Sequence, residues 1–271
     1  MVDATKKVEK VQSRDGTWIA YERIGSGPAV ILVDGALCRR DFGPARPLAK
    51  LLSDRYTVFI YDRRGRGESG NSLPYNVARE VEDIAALVFE AGGSVFLYGI
   101  SSGAALALEA ANAFPNLVKK LALYEAPFIV DNTRPAIAAD FLARLDSLVA
   151  DGERGAAVKS FMRFVGTPGF AIVIMQLLPV WKQLKAVAHT LPYDIQTVAP
   201  FQRGEHLPTT RWTNAKVPTL VADGGKSPAW IRNAMKQLAS VLPMATYRTL
   251  EGQTHMLKPE VMTPVLADFF R

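Results

Sequence analysis

The chain has 271 residues, of which 49% are hydrophobic and 21% are charged, and its formal net charge is +6. This composition is that of an ordinary globular protein and excludes a disordered, collagen-like or coiled-coil chain. Basic residues occur in short stretches beside aspartates, not in a long run, so we expect a mildly basic surface and no nucleic-acid partner.

The sequence also shows no pattern typical of a disulfide-bonded, zinc-binding, membrane-spanning or secreted protein. Its single cysteine, Cys38, leaves no internal disulfide and no cysteine-based zinc cluster, and we expect neither a metal nor a cofactor. No apolar run reaches the roughly 18 residues of a membrane span, and no secretory signal is visible at the start. We therefore expect a cytoplasmic protein, a monomer or homodimer with a small-molecule substrate and no membrane partner.

Strand patterns occupy residues 7–35, and helix and strand patterns then alternate from residue 41 to residue 127. The first two strand patterns meet at Asp15-Gly16, which predicts a hairpin, and AVILVDG predicts a buried strand. Three more strands and three helices are then predicted in alternation: helix 41–54, strand 56–62, helix 76–93, strand 94–101, helix 101–115 and strand 117–127. Such alternation with continuously apolar strands is typical of a parallel sheet covered on both faces.

The alternation stops between about residues 131 and 212. Three stretches there have the spacing of helices: 141–150, 156–166 and 170–191. The rhythm of strand and helix then resumes, with a closing helix pattern at 255–271. We predict an α/β fold with a mostly parallel central sheet flanked by helices, in which residues 1–130 and 213–271 form the core and residues 131–212 form an inserted helical cap.

The strongest chemical signal is Gly99-Ile100-Ser101-Ser102-Gly103, which lies between a buried strand and a helix. Small residues two positions on either side of Ser101 let the backbone turn sharply, so that the hydroxyl stands clear of the sheet as a nucleophile. The N-terminus of the following helix offers backbone N–H groups to a developing oxyanion. Two alternatives are open: Ser101 only caps the helix, or Ser102 is the nucleophile.

Three further segments carry a family resemblance. AVILVDGALCRRDF (29–42) resembles the strand and oxyanion loop of the α/β-hydrolases, with Asp34 where a histidine is usual. YDRRGRGES (61–69) resembles their next turn, and LEGQTHMLKPE (250–260) resembles the loop that delivers their catalytic histidine. Over essentially its whole length the chain resembles a serine hydrolase of the α/β-hydrolase superfamily with a helical cap. The resemblance implies Ser101 as the nucleophile and His255 as the base.

Which of the histidines is the catalytic base can also be judged from the residues alone. The chain has three: His189 in a helix pattern of the cap, His206 in a polar stretch, and His255. Only His255 follows a strand and a glycine near the C-terminus, where a loop can reach over the sheet. A serine hydroxyl is a poor nucleophile until a base takes its proton, so we predict His255 as that base. The alternative is that His255 caps the last helix.

The third catalytic residue departs from the commonest family pattern. The position usually held by an aspartate is Ser227, which cannot supply a negative charge. Glu125 ends the strand after the nucleophile's helix, where some relatives with a cap place their acid. Asp223 ends a later strand. We predict Glu125 as the acid that orients the imidazole, with Asp223 as the alternative.

The oxyanion hole is predicted from the backbone amides of Ser102 and Ala36, because Gly35 permits the backbone to approach the reacting atom closely. A carboxylate at Asp34 would oppose a developing oxyanion. We therefore expect it to be turned away and paired with an arginine: Arg39, Arg40 or Arg63. Cys38 is interpreted as a small residue that lines the pocket.

The cap is expected to shape the pocket. The aromatic and methionine side chains of the cap include Phe161, Met162, Phe164, Phe170, Met175 and Trp181. Most of these are predicted to form the cap's own core, and a minority to face the serine in an apolar site.

The leading hypothesis is a serine hydrolase that cleaves an ester, lactone or thioester of a small, largely apolar molecule through an acyl-enzyme on Ser101. Serine at the sharp turn argues against a dehalogenase or an epoxide hydrolase, whose nucleophile is a carboxylate. Carbon–carbon bond hydrolysis, perhydrolysis and a lyase or cyclase activity are alternatives on the same three residues. A non-hydrolytic small-molecule receptor or binding protein is another.

Overall fold

The computed structural model describes residues 7–271. In this part of the chain eight strands form one sheet: β1 (Glu9–Gln12), β2 (Trp18–Ile24), β3 (Ala29–Val33), β4 (Thr57–Tyr61), β5 (Val95–Ile100), β6 (Val118–Tyr124), β7 (Thr219–Gly224) and β8 (Ala245–Leu250). The same residues form ten α-helices: α1 (Ala45–Leu52), α2 (Val77–Glu90), α3 (Ser102–Ala113), α4 (Phe141–Ala150), α5 (Arg154–Phe164), α6 (Gly169–Gln176), α7 (Val180–Val187), α8 (Leu191–Val198), α9 (Ala229–Val241) and α10 (Pro259–Phe269).

The strands lie in the order β1-β2-β4-β3-β5-β6-β7-β8. The predicted hairpin of β1 and β2 is present, and β2 pairs with β4 in antiparallel fashion. All the other pairs are parallel. The predicted fold class, a mostly parallel sheet flanked by helices, is therefore confirmed. Because parallel strands end at the same edge, the residues that follow β3, β5, β6 and β7 meet there.

Each face of the sheet buries its own apolar cluster. On one face α2, α3 and α9 pack on the strands through side chains such as Leu87, Leu106 and Leu238. On the other face α1 and α10 do so through Leu48 and Leu266. β5 is buried along its whole length, as a strand covered on both faces must be. The apolar runs of the sequence are thus explained by burial on two sides.

Between β6 and β7 the described chain forms helices α4 to α8 and no strand. Four of these helices, α4, α5, α7 and α8, share a third apolar cluster, in which Leu145, Val158 and Leu184 pack together with Leu37 from the loop after β3. The helical segment therefore packs on the edge of the sheet where the strands end. The division of the chain into a core and a cap at residues 131 and 212 stays a prediction.

Two predicted helices are interrupted in the structure. The continuous helical spacing of residues 170–191 is broken after Gln176, and α7 begins after Pro179 because a proline lacks the N–H that a continuing helix needs. The closing helix starts at Pro259, not at residue 255. His255 is therefore in a loop and does not cap α10, whose N-cap position is occupied by Lys258.

Within residues 7–271, no single helix has both the length and the apolar composition of a membrane span. One pair of helical segments is long and apolar enough only when its two parts are taken together: Gly169–Gln176 and Val180–Phe201. A bend of 99° separates the two parts.

Candidate active site

Ser101 lies at a sharp turn of the backbone, where β5 ends and α3 begins. Its φ of 58° and ψ of −131° are a combination that residues with a side chain rarely adopt. A Cβ on Gly99 would lie 2.5 Å from the carbonyl oxygen of Gly103, and a Cβ on Gly103 would lie 2.2 Å from that of Val33. Close backbone contacts therefore require both glycines of the motif.

The two adjacent serines have different surroundings. Ser101 is partly exposed and occupies the N-cap position of α3, yet its side chain makes no capping hydrogen bond. Ser102 is buried, and its Oγ donates a hydrogen bond to Oδ1 of Asp194 at 2.7 Å. The Ser101 hydroxyl is thus the accessible one, whereas the Ser102 hydroxyl is committed to a buried carboxylate.

His255 and Glu125 are in direct contact. Nδ1 of His255 lies 2.7 Å from Oε2 of Glu125, within the range for a base and the group that orients it. The other carboxylate oxygen, Oε1, accepts a hydrogen bond from the N–H of Gly224 at 2.8 Å. Glu125 is completely buried, so these two contacts compensate for the loss of water around its charge.

The sheet holds the serine and the carboxylate side by side. The N–H of Ser101 donates to the carbonyl oxygen of Tyr124 at 2.9 Å, and Glu125 follows Tyr124 directly. Glu125 has a φ of 48°, so the chain also turns sharply where β6 ends. The Tyr124 hydroxyl donates to the carbonyl oxygen of Thr254 at 2.7 Å and so fixes the loop that carries His255.

Among the described residues, no hydrogen bond joins Ser101 Oγ to Nε2 of His255. Nearly half of the His255 side chain is exposed. Hydrogen bonds between a nucleophile and its base are often long in an enzyme without substrate. In the structure Glu125 therefore contacts His255, and Ser101 lies at the same edge of the sheet without a hydrogen bond to His255.

The alternative acid is not brought to the imidazole. Asp223 is buried, and its Oδ2 accepts a hydrogen bond from the Tyr247 hydroxyl at 2.5 Å. Burial raises the pKa of Asp223, although Tyr247 and Thr249 oppose that rise. Ser227 is also buried, and its hydroxyl has no hydrogen-bond partner within residues 7–271. The usual acid position therefore contributes no charge here.

The other two histidines are engaged elsewhere. Nε2 of His189 lies 2.7 Å from the carbonyl oxygen of Gly65, and burial lowers the pKa of this imidazole. Nδ1 of His206 contacts the side-chain amide of Gln237. Neither ring is paired with a carboxylate in the described part of the chain, whereas His255 is.

The loop after β3 passes over the serine. A Cβ on Gly35 would lie 2.9 Å from the Cβ of Ser101, so the close approach requires glycine. Arg66 Nη1 donates to the carbonyl oxygen of Gly35 at 2.7 Å and holds the loop from behind. Within the described residues, the backbone N–H groups of Ala36 and Ser102 donate to no other group of the chain. Both amides are therefore free to receive a ligand oxygen.

Cys38 lies in the same loop. Its Sγ donates a weak hydrogen bond to the carbonyl oxygen of Ala36 at 3.4 Å. Burial raises the pKa of its thiol, and the nearby Asp34 raises it further. The thiolate form is thus disfavoured, which agrees with a packing role and not with a reactive one.

The expected pairing of Asp34 with an arginine is wrong. The three candidates pair with other carboxylates: Arg39 with Asp41, Arg40 with Glu22, Asp62 and Glu68, and Arg63 with Glu80 and Asp194. The Asp34 side chain instead points into the core, where it meets the backbone at Ala45 and a small cavity lined by Leu48 and Tyr98. Burial raises the pKa of Asp34 to about 7, against the opposing influence of Arg66 and Arg63.

Sequence reasoning missed a buried ionic cluster under the site. Asp194 of α8 accepts hydrogen bonds from Arg63 Nη1 at 2.6 Å and from Arg66 Nη2 at 2.7 Å, in addition to the one from Ser102. Arg63 also forms two bonds of 2.7 Å with Glu80. Burial opposes ionisation of Asp194, but Arg66 and Arg63 hold its pKa below the ordinary value. The arginines of the YDRRGRGES segment were the available signal, since buried arginines need carboxylate partners.

Comparison with known proteins gives concordant results. The chain matches the sequence model described as the alpha/beta hydrolase family over residues 26–262. It is 27% identical over 259 residues to a protein of Mesorhizobium japonicum named 2-(acetamidomethylene)succinate hydrolase, and the match covers 90% of this chain and 88% of that protein.

Solved structures of similar shape are also found. An alpha/beta hydrolase from Sphaerobacter thermophilus is 48% identical, with a TM-score of 0.89 and coverage of 97% of this chain and 100% of that chain. A thermophilic esterase from Thermogutta terrifontis is 21% identical, with a TM-score of 0.68 and coverage of 98% of both chains. At that identity the second likeness shows the fold alone.

Proposed function

Because the chain belongs to the alpha/beta hydrolase family, we propose that it is a serine hydrolase that cleaves an ester, lactone or thioester of a small, largely apolar molecule. The observation that carries this proposal is the 2.7 Å contact between Glu125 and His255, beside a serine on a strained turn. A buried carboxylate bonded to one side of an exposed imidazole is the arrangement that prepares a general base.

The chemistry would proceed in two halves. In the first, Ser101 Oγ attacks the carbonyl carbon while Nε2 of His255 takes the hydroxyl proton. The tetrahedral oxyanion is stabilised by the amides of Ala36 and Ser102, which are free to donate. Collapse of this intermediate breaks the bond to the alcohol or thiol, which leaves with the proton held by His255. Glu125 stabilises the imidazolium without taking the proton.

In the second half, water replaces the leaving group. His255 takes a proton from the water, whose oxygen attacks the acyl carbon on Ser101 through a second tetrahedral oxyanion. When this intermediate collapses, the bond to Ser101 Oγ breaks and His255 returns the proton to the serine. The free acid leaves, and the nucleophile and base are restored.

The preference for an uncharged acyl group rests on electrostatics. The relative from Mesorhizobium japonicum is named for a succinate, which carries carboxylates. In the present chain, the arginines beside Ser102 are already neutralised by Glu80 and Asp194. No unpaired cation of this buried cluster is left to bind a substrate carboxylate, because Arg63 and Arg66 are both saturated by these partners.

A fluorophosphonate probe tests the nucleophile. We expect the wild-type chain to be labelled once, labelling to be lost in Ser101→Ala and strongly slowed in His255→Ala, and the Ser102→Ala control to be labelled. Loss of either the serine or the base typically removes about six orders of magnitude in rate. Labelling of Ser101→Ala at the wild-type rate would exclude Ser101. Repeated turnover of an ester panel then separates an enzyme from a binding protein that keeps the three residues.

A further inference from the structure

Helix α6 and the turn after it present apolar side chains to solvent. Five residues there are between 49% and 83% exposed: Phe170, Val173, Ile174, Leu177 and Leu178. Their spacing of i, i+3, i+4, i+7 and i+8 puts them on one face of a helix. We call this face the apolar stripe. A contiguous exposed apolar surface of this kind marks a site of interaction in most soluble chains.

The helix has no polar face with which it could meet water. Its sequence, GFAIVIMQ, contains no charged residue, and Ile172 is its one buried side chain. α6 packs against α5 and α7; Ile172 is buried, and the apolar stripe is open to solvent. A helix that is apolar all round belongs either in a protein core or against lipid. Since α6 is in neither core cluster of the sheet nor in that of the cap helices, its exposed face needs a partner.

The charge of the surrounding segment indicates what that partner is. Residues 159–193 contain four of the 32 basic residues of the chain and none of its 26 acidic ones, so they carry +4 of the net charge of +6. Arg163 lies in the last turn of α5, just before α6, and Lys182 and Lys185 follow on α7; all three are exposed. No salt bridge within residues 7–271 involves any of the four: Lys159, Arg163, Lys182 and Lys185.

We propose that the apolar stripe and these unpaired basic side chains bind the surface of a membrane that contains anionic phospholipid. α6 lies in the plane of the interface, where Phe170, Ile174 and Leu177 enter the acyl boundary and the basic side chains meet lipid phosphates. The sequence predicted no membrane partner because no apolar run is long enough to span a bilayer. A helix that lies in the interface needs no such run.

A second copy of the chain fits this surface less well. A twofold dimer brings the same patch of each copy together, so the basic side chains around one apolar stripe would face those around the other. Like charges in such a contact repel, and no acidic residue occurs in the segment to compensate them. The nearest acidic residues before the segment, Asp151 and Glu153, lie beyond the opposite end of α5 from α6, about 15 Å along the helix axis.

Vesicle flotation with the full chain tests the proposal. We expect the wild type to bind vesicles rich in phosphatidylglycerol, to bind phosphatidylcholine vesicles weakly, and to dissociate as salt is raised. The stripe variant Phe170→Ser/Leu177→Ser and the charge variant Lys182→Gln/Lys185→Gln should each bind about tenfold less. The control Leu73→Ser/Phe89→Ser removes two equally exposed apolar side chains outside the segment and should bind as the wild type does.

Three outcomes would overturn the proposal: a wild type that does not bind the anionic vesicles, a stripe variant that binds as well as the wild type, or self-association lost in the stripe variant without any vesicle binding. The last result would identify a second copy as the partner. All substituted residues are exposed, and circular dichroism confirms that each variant is folded. The test does not depend on the proposed hydrolase chemistry, because binding is measured and no residue of the candidate active site is changed.

Discussion

In the described part of the chain, the imidazole of His255 is hydrogen-bonded through Nδ1 alone, and this bond determines which ring nitrogen can act as the base. With Glu125 at Nδ1, the ring proton stays on that nitrogen, and Nε2 keeps the lone pair that a base needs. The second oxygen of Glu125 is fixed by the backbone N–H of Gly224, so the carboxylate cannot rotate away. One buried side chain thus sets both the tautomer and the orientation of the base.

Replacement of Glu125 by glutamine should lower turnover by about three to four orders of magnitude. The amide has no negative charge, and if its NH2 group faces Nδ1 it favours the tautomer whose Nε2 carries the proton. Such an imidazole cannot take a proton from Ser101. Steady-state kinetics on the best ester of the panel measure the loss.

Two further variants assign the acid. Asp223→Asn is the matched control, and we expect a much smaller effect because the Asp223 carboxylate is bonded to Tyr247. Ser227→Asp added to Glu125→Gln should restore part of the activity, since position 227 is the usual place of the acid. A large loss in Asp223→Asn together with a small one in Glu125→Gln would reverse the assignment.

Asp34 should make the stability of the chain depend on pH in a defined direction. Because burial raises its pKa to about 7, the folded state keeps a proton that the unfolded chain releases near pH 4. Between these values the folded state binds more protons than the unfolded state, so stability falls as the pH rises through this window. At higher pH the charge is present in both states and the loss is complete.

The variant Asp34→Asn should remove this dependence. We expect the thermal midpoint of the wild type to fall relative to that of the variant between about pH 4 and pH 7, equivalent to at most about 4 kcal/mol. Asp54→Asn, a change at an exposed aspartate, serves as the control and should follow the wild type. Parallel midpoint curves for Asp34→Asn and the wild type would show that folding does not raise the pKa of Asp34.

At the scale of elements, α8 joins the cap helices to the sheet edge. Asp194 contacts both Arg63 and Arg66, and these arginines hold the loop after β3 and the Ser102 side chain. The ring of Tyr193 stacks on that of Tyr75 at a centroid distance of 3.9 Å. The position of α8 is therefore coupled to both segments that carry the candidate oxyanion amides, the loop after β3 and the start of α3.

Asp194→Asn should destabilise the chain by about 3–5 kcal/mol, because it leaves two buried arginines without a full counter-charge. The thermal midpoint should fall by roughly 10 °C, as measured by scanning calorimetry. Asp140→Asn is the matched control, since it breaks the exposed ion pair of Asp140 with Arg144 in the same helical segment. We expect that pair to contribute less than about 1 kcal/mol. Equal midpoint shifts in the two variants would contradict a structural role of the buried cluster.

At the scale of the whole molecule, the cap helices and the sheet are not separated by a solvated boundary. Leu37 of the sheet-edge loop belongs to the apolar cluster of the cap helices, and α8 packs against α3. Phe201 and Trp212, near the end of the helical segment, belong to the apolar cluster of the sheet. The two parts therefore share buried residues in both directions.

We expect calorimetry to give one cooperative unfolding transition for the full chain, because a cap that unfolded alone would expose these shared apolar and ionic groups. Circular dichroism in the far and near ultraviolet should follow the same curve. Two resolved transitions, the first sparing the near-ultraviolet signal of the sheet, would mean that residues 131–212 fold as an independent unit.

Much of the architecture and of the candidate site was accessible from the sequence. The fold and the family are confirmed, since apolar strands alternating with amphipathic helices have few other ways to bury their surfaces. Ser101, Glu125 and His255 were predicted from the motif at the sharp turn, from the resemblance to the α/β-hydrolases and from their places after strands. Parallel strands end at one edge, so position in the chain implied proximity in space.

The sequence by itself determined the elements, their parallel arrangement and the residues at the strand ends, because these depend on local periodicity and on turns that demand glycine. Only the tertiary structure decided the partners of Asp34, Arg63 and Asp194, and which side of α6 is covered. These depend on how separate elements pack together, and two partners can be far apart in the chain, as Arg63 and Asp194 are at 131 positions. Buried charges accept whichever partner the packing brings to them, and no local pattern specifies that choice.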